Sequence, residues 1–269
     1  MTNSVYLLRS ALQSAFETVK ELDAVMTETA VVTEFSVGDM WKRLPEYADA
    51  ASDLGSSIKD VYAATTLYYQ QGLKTEAAMG VGIETMKMAR IAGMEASDAT
   101  NAMTAALRGF NMEVNETNAQ KVNDVYSNLA ALSASNVEQI STAMSKTASI
   151  ASAANMEFET TAALLAQIIE TTQEAPETAG TALKTIIARF SEVKSLQSQG
   201  QSTGEDEEGE TIDVNKIDKA LKSVGISMDG FFAGTEGLDS VLMKLAEKWD
   251  TLDFTTQRYI ATMAAGSRQ

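Results

Sequence analysis

Apolar residues return along this chain at helical spacing, in short runs. Val122, Val125, Leu129 and Leu132 follow an i, i+3, i+7, i+10 stripe. A stripe on a period near 3.6 residues is one face of an amphipathic helix. Val137, Ile140, Met144 and Ala148 form the next stripe, and Phe158, Ala162, Leu165 and Ile169 the one after. Leu183, Ile186, Phe190 and Val193 follow Pro176. Upstream, Ile58, Val61, Tyr62, Thr65, Tyr68 and Tyr69 share a face. So do Met79, Ile83, Met86 and Met88, and then Met103, Leu107 and Phe110. Residues 212–224, 238–249 and 255–265 read as helices, and no alternating run reads as a strand.

These runs keep ending the same way. Gly72-Leu73, Gly93-Met94, Asn111-Met112, Asn155-Met156 and Gly225-Ile226 each pair a residue that tolerates positive φ with an apolar one. Such a pair closes a helix when the apolar side chain folds back on the last turn. The expected partners are Tyr68, Met88, Leu107, Ile150 and Leu221, all large and apolar. Starts are also marked. Ser36 with Asp39, and Ser135 with Glu138, have capping-box spacing, and Ser97-Asp98 opens a further helix. Pro45 falls inside an apolar pattern and predicts a kink or a fresh helix start. Loops between these runs are short, so neighbouring helices are expected to pack antiparallel.

The first helix is the longest. Val5, Leu12, Val19 and Met26 repeat every seven residues, and Leu8, Ala15, Leu22 and Thr29 follow three positions later. That is an a/d seam, the pattern of a coiled coil, while Phe16 and Val25 widen it toward an ordinary amphipathic face. The seam predicts either self-association or packing on the rest of the domain.

The fold class is therefore all-α: a multi-helix bundle or an array of short antiparallel helices, with a candidate coiled coil at the N-terminus. The pattern divides the chain into residues 1–34, the long helix; 35–196, a helical core; 197–211, an acidic flexible loop; and 212–269, a C-terminal helical segment. The loop reading rests on Gln197 to Glu210, which is polar, Gly-rich and acidic. It lacks the alternating Asp/Asn spacing of a calcium loop.

Composition narrows the chemistry. The chain has 269 residues and neither Cys nor His, which removes disulfides, thiolate nucleophiles, imidazole bases and Cys/His zinc patterns. A net charge of −16 opposes nucleic acid and anionic membrane, so no nucleic-acid partner is expected. No apolar run approaches the ~20 residues of a membrane span. The N-terminus lacks the basic start and apolar stretch of a signal peptide. Carboxylates are plentiful, but none stands out as a catalytic pair; most fall on the polar sides of the stripes. Gly80-Val81-Gly82 follows no strand and reads as a close helix contact rather than a phosphate loop. Tyr68-Tyr69 and the Met residues read as packing. The residues thus supply no catalytic, cofactor-binding or metal site, and no cofactor is expected.

Several runs resemble a domain of bacteriophage tail tape measure proteins. They are Ala51 to Tyr62, Tyr68 to Leu73, Asp98 to Phe110, Ala179 to Phe190 and Leu245 to Leu252, then Gln257 and Ala264 to Gln269. Their order and spacing carry the resemblance from about Phe16 to Gln269. It implies a structural, non-enzymatic protein made in the host bacterial cytoplasm. Such a protein lies in the lumen of the tail tube and sets tail length during assembly. The implied partners are the tail tube protein, tail assembly chaperones and tail-tip proteins, with residues 35–196 as the tape-measure core. The chain is expected to continue beyond Gln269 in a longer protein. The frequent stops sit uneasily with a continuous ruler, so the segment is expected to fold as a compact module beside it. The alternatives are a bacterial helical adaptor or a secreted helical bundle, and a carboxylate-dependent cell-wall hydrolase.

Overall fold

The computed structural model describes residues 2–205 and 211–266. Among them are thirteen helices and one two-stranded hairpin, so the protein is all-α. The chain folds as two compact units. Residues 1–104 and 113–124 form the first; residues 105–112 and 125–269 form the second.

The first unit holds α1 (Thr2–Val32), α2 (Val37–Leu54), α3 (Ile58–Gln70) and α4 (Thr75–Ala92). It also takes most of α5 (Ala96–Gly109) and the first half of α6 (Glu116–Leu132). α3 lies at its centre and packs against α1, α2 and α4. Val25 and Met26 of α1, Met40, Tyr47 and Ala51 of α2, Val61 and Tyr62 of α3 and Met86 of α4 share one core. Removing an apolar side chain of this size from water stabilises the fold by about 1.5–3 kcal/mol. The rings of Tyr47 and Tyr62 stack with centroids 3.7 Å apart, and the Tyr62 hydroxyl donates to the Met40 carbonyl at 2.7 Å. The aromatic body is thus buried while its polar tip keeps a partner.

α2 starts on the expected capping box. The Asp39 amide donates to Ser36 Oγ at 3.2 Å, and the Ser36 amide donates back to Asp39 Oδ2 at 3.2 Å. It then runs through Pro45 as one helix, with no fresh start there. The glycine pair in α4 is a close helix contact. A Cβ on Gly82 would lie 2.6 Å from Thr65 Oγ1 of α3, and one on Gly80 would lie 2.9 Å from Glu116 Cβ of α6.

The second unit is built on α7 (Val137–Ala153), which packs against α8 (Phe158–Thr172) and α9 (Pro176–Ser198). Thr147 Oγ1 donates to the Gly180 carbonyl across the α7–α9 contact at 3.0 Å. Phe158 meets Phe110 edge-on at 5.4 Å and Tyr126 at 5.5 Å. After α9 come β1 (Thr203–Glu205), β2 (Thr211–Asp213), α10 (Val214–Ser223), α11 (Asp229–Ala233), α12 (Leu238–Trp249) and α13 (Phe254–Ala265). α12 docks by its start. The Leu238 amide donates to the Ala154 carbonyl at 3.2 Å, and the Glu157 amide to Asp239 Oδ2 at 3.2 Å.

All five expected stops form. Leu73, Met94, Met112, Met156 and Ile226 donate their amides to Tyr68, Ala89, Leu107, Ala151 and Leu221 at 2.8–3.1 Å. Asn111 and Asn155 take the left-handed conformation with φ of 54° and 57°. Three further ends use the same bond: Ser56 to Ala51, Gln201 to Leu196 and Thr235 to Gly230. Their second residue is polar, so the sequence pattern passed over them.

Three expectations are corrected. The cap of α7 is Asn136 with Gln139, at 2.8 and 3.0 Å, one residue after Ser135 with Glu138. Ser135 is buried instead, with its hydroxyl 2.6 Å from that of Ser133. Both pairs have the same spacing, and burial of Val137 selects between them. The second correction is the hairpin. Part of the stretch expected to be loop or helix pairs antiparallel, with Gly204 opposite Ile212. Ile212 is fully buried as a strand residue, and helix α10 begins only at Val214, capped by Asp213. One buried residue between Thr211 and Asp213 is too short an alternation to read as a strand. Residues 206–210, the rest of the acidic run, lie outside the described residues. Third, the short helix α11 was not expected at all.

Candidate interaction surface

The two buried charged side chains among the described residues, Glu84 and Arg189, hold helices together. Glu84 of α4 is buried, and its carboxylate accepts from Lys87 Nζ at 2.5 Å and Asn123 Nδ2 at 2.9 Å. Asn123 Nδ2 also donates to the Glu84 carbonyl at 2.8 Å, so one amide ties α6 to both ends of one residue of α4. Arg189 of α9 is buried too, and its Nε donates to the Met263 carbonyl of α13 at 2.9 Å. Neither group was singled out in the sequence. Each lies within an apolar stripe, and that placement was the available signal.

Tyr47, Tyr62, Tyr68, Tyr69 and Tyr126 are packing residues. Burial pushes the Tyr68 hydroxyl up to about 12, and its oxygen lies 2.6 Å from Thr85 Oγ1. Burial also pushes Tyr47, Tyr62 and Tyr126 upward, so all four stay neutral at physiological pH. Most methionines named in the stripes are core as well: Met86, Met88, Met103 and Met144 are buried.

Two clefts open in the first unit. One, of about 360 Å³, is lined by Ser57, Asp60, Met86, Arg90 and Glu95. The other, of about 690 Å³, is lined by Val31, Phe35, Tyr69, Leu73 and Lys74. Among the described residues no cluster of carboxylates could hold a metal ion, and no helix is long and apolar enough to cross a membrane.

The surface that does call for a partner is on α1. Its second half packs on α2 and α3 through Leu22, Val25, Met26 and Thr29, all buried. Every residue from 9 to 21 is exposed. Along this stretch the seam continues with nothing on it: Leu12 is 65 % exposed, Phe16 67 % and Val19 51 %. Three large apolar side chains on one exposed helix face form a contiguous patch, which marks a contact surface rather than scattered surface residues. The side chains of Val5 and Leu8 lie outside the described residues.

A family model described as phage-related minor tail protein matches residues 48–266. The chain belongs to that family. It is thus a structural protein of the phage virion tail and works in contact with other tail components. The matched region begins within α2 and runs through the rest of both units, while the whole of α1 lies before it. No solved structure matches the tail protein.

Proposed function

We propose that this tail protein acts as a tape measure protein: it occupies the tail tube and takes part in setting tail length. The observation that carries the reading is the family match over residues 48–266 on an all-helical frame. The order of the quoted runs, from Ala51-Ser52-Asp53-Leu54 to Leu245-Ala246-Glu247-Lys248-Trp249, supports the tape measure branch within that family. The tail tube protein, tail assembly chaperones and tail-tip proteins are its proposed partners, and the bare seam of α1 is a surface for self-association. The protein is proposed to be non-enzymatic. Its notable carboxylates, Asp39, Glu84, Asp213 and Asp253, serve in helix caps or in a buried tie between helices. The family match favours this reading over a bacterial adaptor or secreted bundle.

An amber mutation in the gene tests the proposal. Tails should fail to form, or form with irregular length, when examined by electron microscopy, and length should return on suppression. Normal tails without the protein would overturn it. In a peptidoglycan-release assay the purified chain should release nothing, and turnover would overturn the non-enzymatic reading.

A further inference from the structure

We infer that copies of this chain join head to tail: the bare patch of α1 on one copy seats in the larger cleft of the first unit on the next. The inference rests on the self-association reading above and names the surface that receives the patch. Patch and cleft lie at opposite ends of the α1–α3 pair. α3 runs parallel to α1, since Lys59 near its start reaches Glu21 at 3.1 Å and the Thr66 and Thr29 hydroxyls lie 2.6 Å apart. The patch precedes Glu21 and so stands off the start of α3. The cleft is lined by Val31, Phe35, Tyr69 and Leu73 and so lies where both helices end. Each copy therefore carries a projecting apolar helix at one end and an apolar hollow at the other.

The two surfaces match in size and in charge. Leu12 and Phe16 are four residues apart and stand side by side on the helix. The cleft, of about 690 Å³, has room for both, and Val31 in its wall is 81 % exposed. Each surface thus holds large apolar groups in water that the contact removes from it. Arg9 and Lys20, both exposed, bracket the patch along the helix, while Glu34 and Glu76, both exposed, line the cleft. Two cations thus come to two anions. The entering stretch is clear of its own copy's packing, because every residue from 9 to 21 is exposed. Two different surfaces meet, so the contact is heterologous. A joined pair keeps one free patch and one free cleft, and the assembly grows past two copies.

Sedimentation of the full chain over a concentration series should show a species of about twice 28.8 kDa and then larger ones. Phe16→Asp and Val31→Asp alter exposed positions, so each should leave the circular dichroism unchanged. Each should raise the dissociation constant by about tenfold or more. Mixed together, the two variants should form a dimer and stop there, because one keeps a sound cleft and the other a sound patch. Arg9→Glu with Lys20→Glu should also weaken association about tenfold, and mixing with Glu34→Lys, Glu76→Lys chains should recover a dimer. An unaltered chain that stops at two copies would overturn the head-to-tail contact while self-association stands. Val31→Asp without effect, or no dimer from the mixed variants, would overturn the cleft as the receiving surface. A monomer at all concentrations would overturn self-association itself, and the place of the protein in the tail would be untouched.

Discussion

Gly225 ends α10 with a φ of +73°, and Ile226 closes the turn by donating to the Leu221 carbonyl at 3.0 Å. Lys248 Nζ donates to the neighbouring Val224 carbonyl at 2.8 Å, so the end of α10 is tied to α12. A Cβ at Gly225 would lie 2.9 Å from that ammonium, the mobile end of a long side chain. The cost of Gly225→Ala therefore comes mainly from the left-handed backbone, and a loss of about 1 kcal/mol is expected in urea melts. Unchanged melts would mean that the turn is not closed in this way.

Asp39 allows a second test on single groups. The hydrogen bond from Lys42, and then those from Ser36, hold its carboxyl down to about 2 from an ordinary 3.8. Because the folded value is the lower one, its contribution to stability is complete above about pH 4. It fades as pH falls through 2. An NMR titration of the Asp39 side chain should give a midpoint near 2, and a midpoint near 3.8 would show the capping box open. At this scale the sequence was readable wherever an identity fixes a local bond. Ser36 with Asp39 and Asn155 with Met156 are such cases. It was ambiguous at Ser135 and Asn136, where tertiary burial makes the choice.

Between elements, α9 approaches the backbone of α7 closely in the second unit. A Cβ on Gly180 would lie 2.4 Å from the Ala143 carbonyl oxygen and 3.0 Å from its Cα, both backbone atoms with no rotamer to escape by. Gly180→Ala gains about 1 kcal/mol in helix propensity. Forcing packed helices apart costs about 1–3 kcal/mol. A net loss of stability is expected by thermal or urea melting, and a gain would show that α7 and α9 slide apart freely. Phe190, also on α9, is buried in the stripe that named it, and Phe190→Ala should cost about 3–5 kcal/mol. A cost near zero would place that stripe outside the core. The helices were legible because each carries three or more apolar residues on one period. The hairpin was not, since Gly204 faces Leu196 with no side chain and only Ile212 is buried within it. The α1 seam was legible as a pattern, but its division into a packed half and a bare half comes from where α2 and α3 end along it.

For the whole molecule, the question is how a chain of this family relates to length. The longest described helix, α1, has 31 residues and spans ~46 Å at 1.5 Å per residue. The remaining helices are shorter and are closed by stops that fix the chain direction anew. A ruler must add length in proportion to residues, and the stops here oppose that. We therefore propose that these residues fold as a module beside the ruling segment and do not themselves measure. The turn at Gln173–Ala175 is exposed and joins α8 to α9. A 21-residue helical insertion there would lengthen a continuous helical ruler by ~32 Å. In a folded module the same insertion would only extrude a surface loop, because the helix faces on either side are already buried. Tails assembled with the inserted protein should therefore keep their length in electron micrographs, whereas a uniform extension near 32 Å would place these residues in the ruler itself.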